Sequence, residues 1–122
     1  MSNNAPATPN EVVLHLAELA RELEEVTRQL NEADEAAVNA REAAKLAEAQ
    51  AFLAAEGSVE ARKNQAIVKT HEQRLAAEVA DALVRGLMRT SRTLQARIDV
   101  GRTYGATIRS EITLAGSGVH GA

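Results

Sequence analysis

The stretch that decides the fold runs from Val12 to Ala54 and reads VVLHLAELARELEEVTRQLNEADEAAVNAREAAKLAEAQAFLA. Numbered as a heptad, two positions stay apolar over its whole length. One row is Leu16, Leu23, Leu30, Ala37, Ala44 and Ala51; the other is Val12, Leu19, Val26, Ala33, Ala40, Ala47 and Ala54. Neither glycine nor proline interrupts them. Apolar residues spaced by three and four over such a distance specify a long helix with one sticky seam. At 1.5 Å per residue it is roughly 65 Å long, too long for a compact monomer of this size. It therefore needs a second long helix to lie against. The first half of the seam is leucine and valine and the second half nearly pure alanine. Alanine knobs let two helices approach closely while burying less area each.

Upstream of this stretch, Thr8-Pro9-Asn10-Glu11 is a helix start. Thr8 can accept from the Glu11 amide while the Glu11 carboxylate reaches back to the Thr8 amide. Pro9 falls at the first helical position, where its missing N–H removes nothing. Residues 1–7 are small and polar and read as a disordered lead, with neither the basic residue nor the apolar run of a signal peptide. Downstream, Gly57 suits a left-handed helix stop and Ser58 a new N-cap, so 57–58 reads as the tip of an antiparallel αα-hairpin.

The second helix is expected from about Val59 to Val100, its seam formed by Val68, Leu75, Val79, Leu83, Leu87, Leu94 and Ile98. Gly101 and Gly105 each weaken a helix by about 1 kcal/mol relative to alanine. They allow a kink there, or a break into a short terminal helix from about Arg102 to Leu114, with 115–122 as a flexible tail. The fold class is thus all-α: a single domain over 8–114, a long antiparallel helical hairpin of coiled-coil character. Two thin helices shield two long apolar faces incompletely, and such chains reach stability by associating. A homo-oligomer is the expectation.

Composition agrees. Phe52 and Tyr104 are the only aromatics among 122 residues, cysteine is absent, and 25% of residues are charged. Disulfides and thiolate metal sites are excluded. No 18-residue apolar stretch occurs, which predicts a soluble, cytoplasmic protein without membrane contact. The three histidines are scattered and spell no metal site. There is no phosphate loop and no nucleophile elbow. Long solvated helices also lack the cleft that tunes a carboxylate for acid–base work. The expectation is a non-enzyme with no cofactor.

The net charge of −3 conceals an asymmetry. Residues 1–60 hold four basic and twelve acidic side chains, whereas 61–122 hold ten basic and five acidic. Either the two arms attract each other, or the basic arm meets a polyanion. At about 100° per residue, Lys63, Arg74, Arg85, Arg89 and Arg92 fall within a stripe roughly 80° wide. Such a stripe can follow a phosphate backbone. Glu78 and Asp81 share it, and Asp81 with Arg85 forms an i,i+4 pair that would make it an ordinary solvated face.

The order of parts is a long helix, Gly57-Ser58, the basic dipeptide Arg62-Lys63 and a second long helix. The chain then continues through Leu94-Gln95-Ala96-Arg97-Ile98-Asp99-Val100-Gly101-Arg102 to Leu114-Ala115-Gly116. Over roughly residues 20–116 this layout resembles the UvsY-type phage proteins of recombination, repair and single-stranded-DNA binding. The resemblance implies an oligomeric mediator in the host cytoplasm. Such a mediator binds single strands and helps load a recombinase onto DNA covered by a single-strand-binding protein. In that family the first helix ends in aromatic residues beside a Lys/Arg cluster, ahead of a glycine. Here the same region holds Lys45 and Phe52, with Arg62 and Lys63 just past the turn. The alternative of a different class is a structural helical scaffold, adaptor or virion-assembly protein that binds only proteins.

Overall fold

The computed structural model describes residues 8–120, with side chains described through Gly116. The expected lead at 1–7 and the last two residues of the expected tail lie outside the described residues. The chain forms an all-α helical hairpin of three helices, α1 (Pro9–Ala54), α2 (Val59–Lys69) and α3 (His71–His120), with no strand among the described residues. The start of α1 carries the reciprocal bonds its sequence predicts. The Thr8 amide donates to Glu11 Oε2 and the Glu11 amide to Thr8 Oγ1, each at 3.2 Å. At the tip Gly57 takes φ +108°. Ser58 Oγ then accepts from the Ala61 amide at 3.1 Å and caps α2.

Twelve of the thirteen seam positions of α1 are buried or half-buried, and only Ala54, at the helix end, is exposed. The chain divides into two compact units, Met1–Val26 with Thr90–Ala122, and Thr27–Arg89. In the first, Leu19, Leu94 and Ile98 form a buried cluster with Leu16, Leu23 and Val26 packed against it. In the second, the buried residues are Ala33, Ala37, Ala44, Ala51, Ala66, Ala77 and Thr70, nothing larger than threonine. Arg41 Nη1 reaches Asp81 Oδ1 across this unit at 2.8 Å, an ion pair that links α1 to α3.

The second arm departs from expectation in three places. Helix does not run unbroken from 59 to 100, because Thr70 interrupts it with φ −107° and ψ 19°. Thr70 Oγ1 bonds back to the Ala66 carbonyl at 2.7 Å, the local competition that loosens helices at threonine. The break that Gly101 and Gly105 allow is absent, and α3 continues through the possible short helix at 102–114 and through 115–120 of the expected tail. No proline interrupts its hydrogen-bond ladder. The two glycines serve close approach instead: a Cβ at Gly101 would stand 2.7 Å from Leu16 Cδ2, and one at Gly105 3.2 Å from Val12 Cγ1.

Third, the expected seam of the second arm holds at Leu94 and Ile98, which are buried, and at half-buried Leu87, but in the second unit it is otherwise not where the large side chains are. Val68, Leu75, Val79 and Leu83 are exposed, Val68 at 77%, whereas Ala66 is 1% exposed. The seam runs instead through Ala66, Thr70, Ala77, Ala80 and Val84 in the second unit, all buried or half-buried. The alanine half of α1 is the physical reason. A helix drawn close to alanines turns its own small residues inward, since a leucine there would hold the two backbones apart.

Three substitutions test this arrangement by chemical denaturation. Leu19→Ala should lower stability by about 2–5 kcal/mol, whereas Leu83→Ala should stay within about 0.5 kcal/mol. Gly105→Leu should destabilise by about 1–3 kcal/mol through overpacking against Val12.

Candidate nucleic-acid interface at the hairpin tip

The six cations read from the sequence meet different fates. Arg62 is half-buried at the tip, where its Nε donates to the Ala55 carbonyl at 3.0 Å. That carbonyl lies just past the end of α1, where acceptors have no intrahelical donor. Gln65 Nε2 serves the Glu56 carbonyl in the same way, at 3.0 Å. Arg74 is half-buried as well: its Nη2 donates to the Ile67 carbonyl at 2.9 Å and its Nε is buried without a partner. The helix break at Thr70 accounts for this, because it deprives Ile67 of its usual donor. Arg74 therefore closes a chain break and leaves the expected stripe.

Lys63, Arg85, Arg89 and Arg92 are exposed. The pair anticipated between Asp81 and Arg85 gives way to Asp81 with Arg41. Lys63, Arg85 and Arg89 lie in the second unit; Arg92 belongs to the first.

The structure gathers one cluster that the stripe does not contain. Lys45, Glu48, Ala49, Phe52 and Leu53 of α1 and Lys63 and Ala66 of α2 line an open cavity of about 460 Å³ at the tip. The Arg62 guanidinium stands over the Phe52 ring, 5.8 Å from its centroid, within cation–π range. Lys45 and Phe52 are seven residues apart and so share one face of α1. The short turn brings Lys63 back beside that face. An aromatic ring, two ammonium groups and an apolar wall accommodate a planar base with its phosphate nearby. The Glu48 carboxylate lines the same cavity and sets a negative charge beside the two lysines. As site residues, Lys45 and Phe52 enter the sequence reading only through the family resemblance. Their i,i+7 spacing was the available signal, and it is faint among so many charged helical positions.

Among the described residues, no three His, Asp or Glu side chains converge in a way that could hold a metal ion. Likewise, no helix there is long and apolar enough to cross a membrane. No protein-family model, curated protein or solved structure matches the chain.

The two arginines assigned to chain closure should behave as stability residues. Arg74→Ala is expected to lower stability by about 1 kcal/mol, the worth of one hydrogen bond. Arg85→Ala should change it by no more than about 0.5 kcal/mol. Urea denaturation of both variants checks the contrast.

Proposed function

We propose that the chain is a non-enzymatic, self-associating helical protein that holds single-stranded DNA at its hairpin tip. The pattern is that of the UvsY-type recombination mediators it resembles. The observation that carries this reading is the convergence of Phe52, Lys45 and Lys63 on one open apolar cavity. Single-strand binders combine cations that follow the backbone with aromatic rings on which bases stack. One ring and two lysines in a chain are a weak site, and repetition in an oligomer turns weak sites into a useful one. Loading of a recombinase onto covered strands follows from the family resemblance.

A second reading has its own support. Val68, Leu75, Val79 and Leu83 are exposed on the second arm, and Val38, Leu46 and Leu53 on α1. Contiguous outward apolar rows mark contact with protein, which suits a scaffold or virion-assembly protein that touches no nucleic acid. Self-association belongs to both readings.

Anisotropy of a labelled oligonucleotide across a salt series separates them. The parent chain should bind with a slope of log K against log salt of about −0.7 for each phosphate neutralised. Lys45→Gln with Lys63→Gln should flatten the slope. Phe52→Leu should weaken binding by about 1–3 kcal/mol per stacked base while leaving the slope in place. Absence of binding even at low salt removes the DNA reading and leaves the scaffold. Binding that survives the tip substitutions but falls on replacing Arg85, Arg89 and Arg92 with glutamine moves the site to the outer face of α3.

A further inference from the structure

From the second unit we infer a specific interface between copies: the outer face of α1 in one copy packs against the outer face of α2 and α3 in the next. This rests on the self-association proposed above and says which surfaces carry it. Both faces lie opposite their own hairpin seam, one on each side of the unit. On α1 the seam residues are Ala37, Ala44 and Ala51, so Val38, Leu46 and Leu53 fall on the far side. They are 47%, 59% and 77% exposed. On the second arm the seam residues are Ala66, Thr70 and Ala77, which turns Val68, Leu75 and Val79 outward, with Leu83 at the edge of the row.

The two rows match in length and in level. Each covers fifteen residue steps, Val38 to Leu53 on α1 and Val68 to Leu83 across the break at Thr70, about 22 Å at helical rise. Their steps are eight then seven on α1, and seven then eight through Val68, Leu75 and Leu83. Run antiparallel, the two sets of steps coincide. The ion pair of Arg41 with Asp81 fixes which levels are opposite within one copy. On that scale Leu53 is level with Val68, Leu46 with Leu75 and Val38 with Leu83, each to within one residue. Copies standing side by side and pointing the same way therefore bring α1 of one antiparallel to α2 and α3 of the next, row against row, without a shift in height.

Charge agrees with this register. Asp34 and Glu35 of α1 stand level with the exposed Arg85 and Arg89 of α3. Glu42, near the middle of the α1 row, has Lys45 of its own helix 3.5 Å away. A row packed on its own kind would instead face acidic α1 with acidic α1. The contact joins two different faces, so it is heterologous: repeated, it closes into a ring or runs on as a filament, and it does not stop at two.

Two doubly substituted full-length chains test this by sedimentation. Val38→Glu with Leu46→Glu blocks the α1 face; Leu75→Glu with Val79→Glu blocks the α3 face. The parent should sediment at several times the 13.0 kDa chain mass. Each variant alone should be a monomer of parental helicity by circular dichroism. An equimolar mixture should form a one-to-one dimer and nothing larger, because each variant keeps the face the other has lost. A variant of reduced helicity is replaced by its glutamine counterpart and read in the same way. A monomeric parent overturns self-association itself. An oligomeric parent whose variants both remain oligomeric overturns only the assignment of faces. A persisting dimer of either variant, or a mixture that stays monomeric, also overturns the heterologous contact.

Discussion

The alanine seam of the second unit is the constraint on which the rest of that unit depends. Ala33, Ala37, Ala44 and Ala51 bring α1 close to its partner helices and give them little to bury against. Only small residues fit opposite, so Ala66, Thr70 and Ala77 take the inner positions. The hairpin is held there by many short contacts and by helix propensity rather than by a few large side chains. The larger apolar residues of the same helices are left facing outward. Chain closure at the tip and at Thr70 is then completed by long polar side chains, Arg62, Gln65 and Arg74, each donating to a main-chain carbonyl.

The first unit obeys the same volume rule from the opposite side. Its α1 residues are large, and α3 answers with Gly101 beside Leu16 and Gly105 beside Val12. Leu94 and Ile98 meet Leu19 where both helices carry bulk, and these three make the buried cluster. Large against small in one place and small against small in the other are both ways of filling the space between two helices to native density. They differ in the area removed from water, and so in the stabilisation each unit draws from its own core.

Much of the first arm was legible in the sequence because its signals agree with one another. The capping residues Thr8 and Glu11, the unbroken seam from Val12 to Ala51 and the glycine stop at Gly57 each imply the same helix. The second arm carries two apolar rows at helical spacing. Reading by side-chain size selects Val68, Leu75, Val79 and Leu83, which the structure turns outward. What decides between the rows is the size of the residues across the hairpin, and that is a tertiary fact. The break at Thr70 left no glycine or proline to announce it, while the glycines that suggested a break were placed for packing. The tip cluster was legible only in part, since nothing local links Lys45 and Phe52 to Lys63 until the turn folds α2 back.

The opposed charges of the two arms invite the conclusion that they hold the hairpin together. The ion pair that crosses the second unit points elsewhere. Arg41 is a cation of the acidic arm and Asp81 an acid of the basic one, so the bond joins the minority sign of each. The majority signs, Asp34, Glu35 and Glu42 on α1 and Arg85 and Arg89 on α3, are exposed on faces turned away from the seam. Surface ion pairs contribute little to folding in any case. Arms of opposite net charge are suited to a partner that carries the complementary sign. A neighbouring copy does so on both sides at once, because it offers acid to the basic face and base to the acidic one. A polyanion answers only the net charge of the second arm and meets net acid on the first.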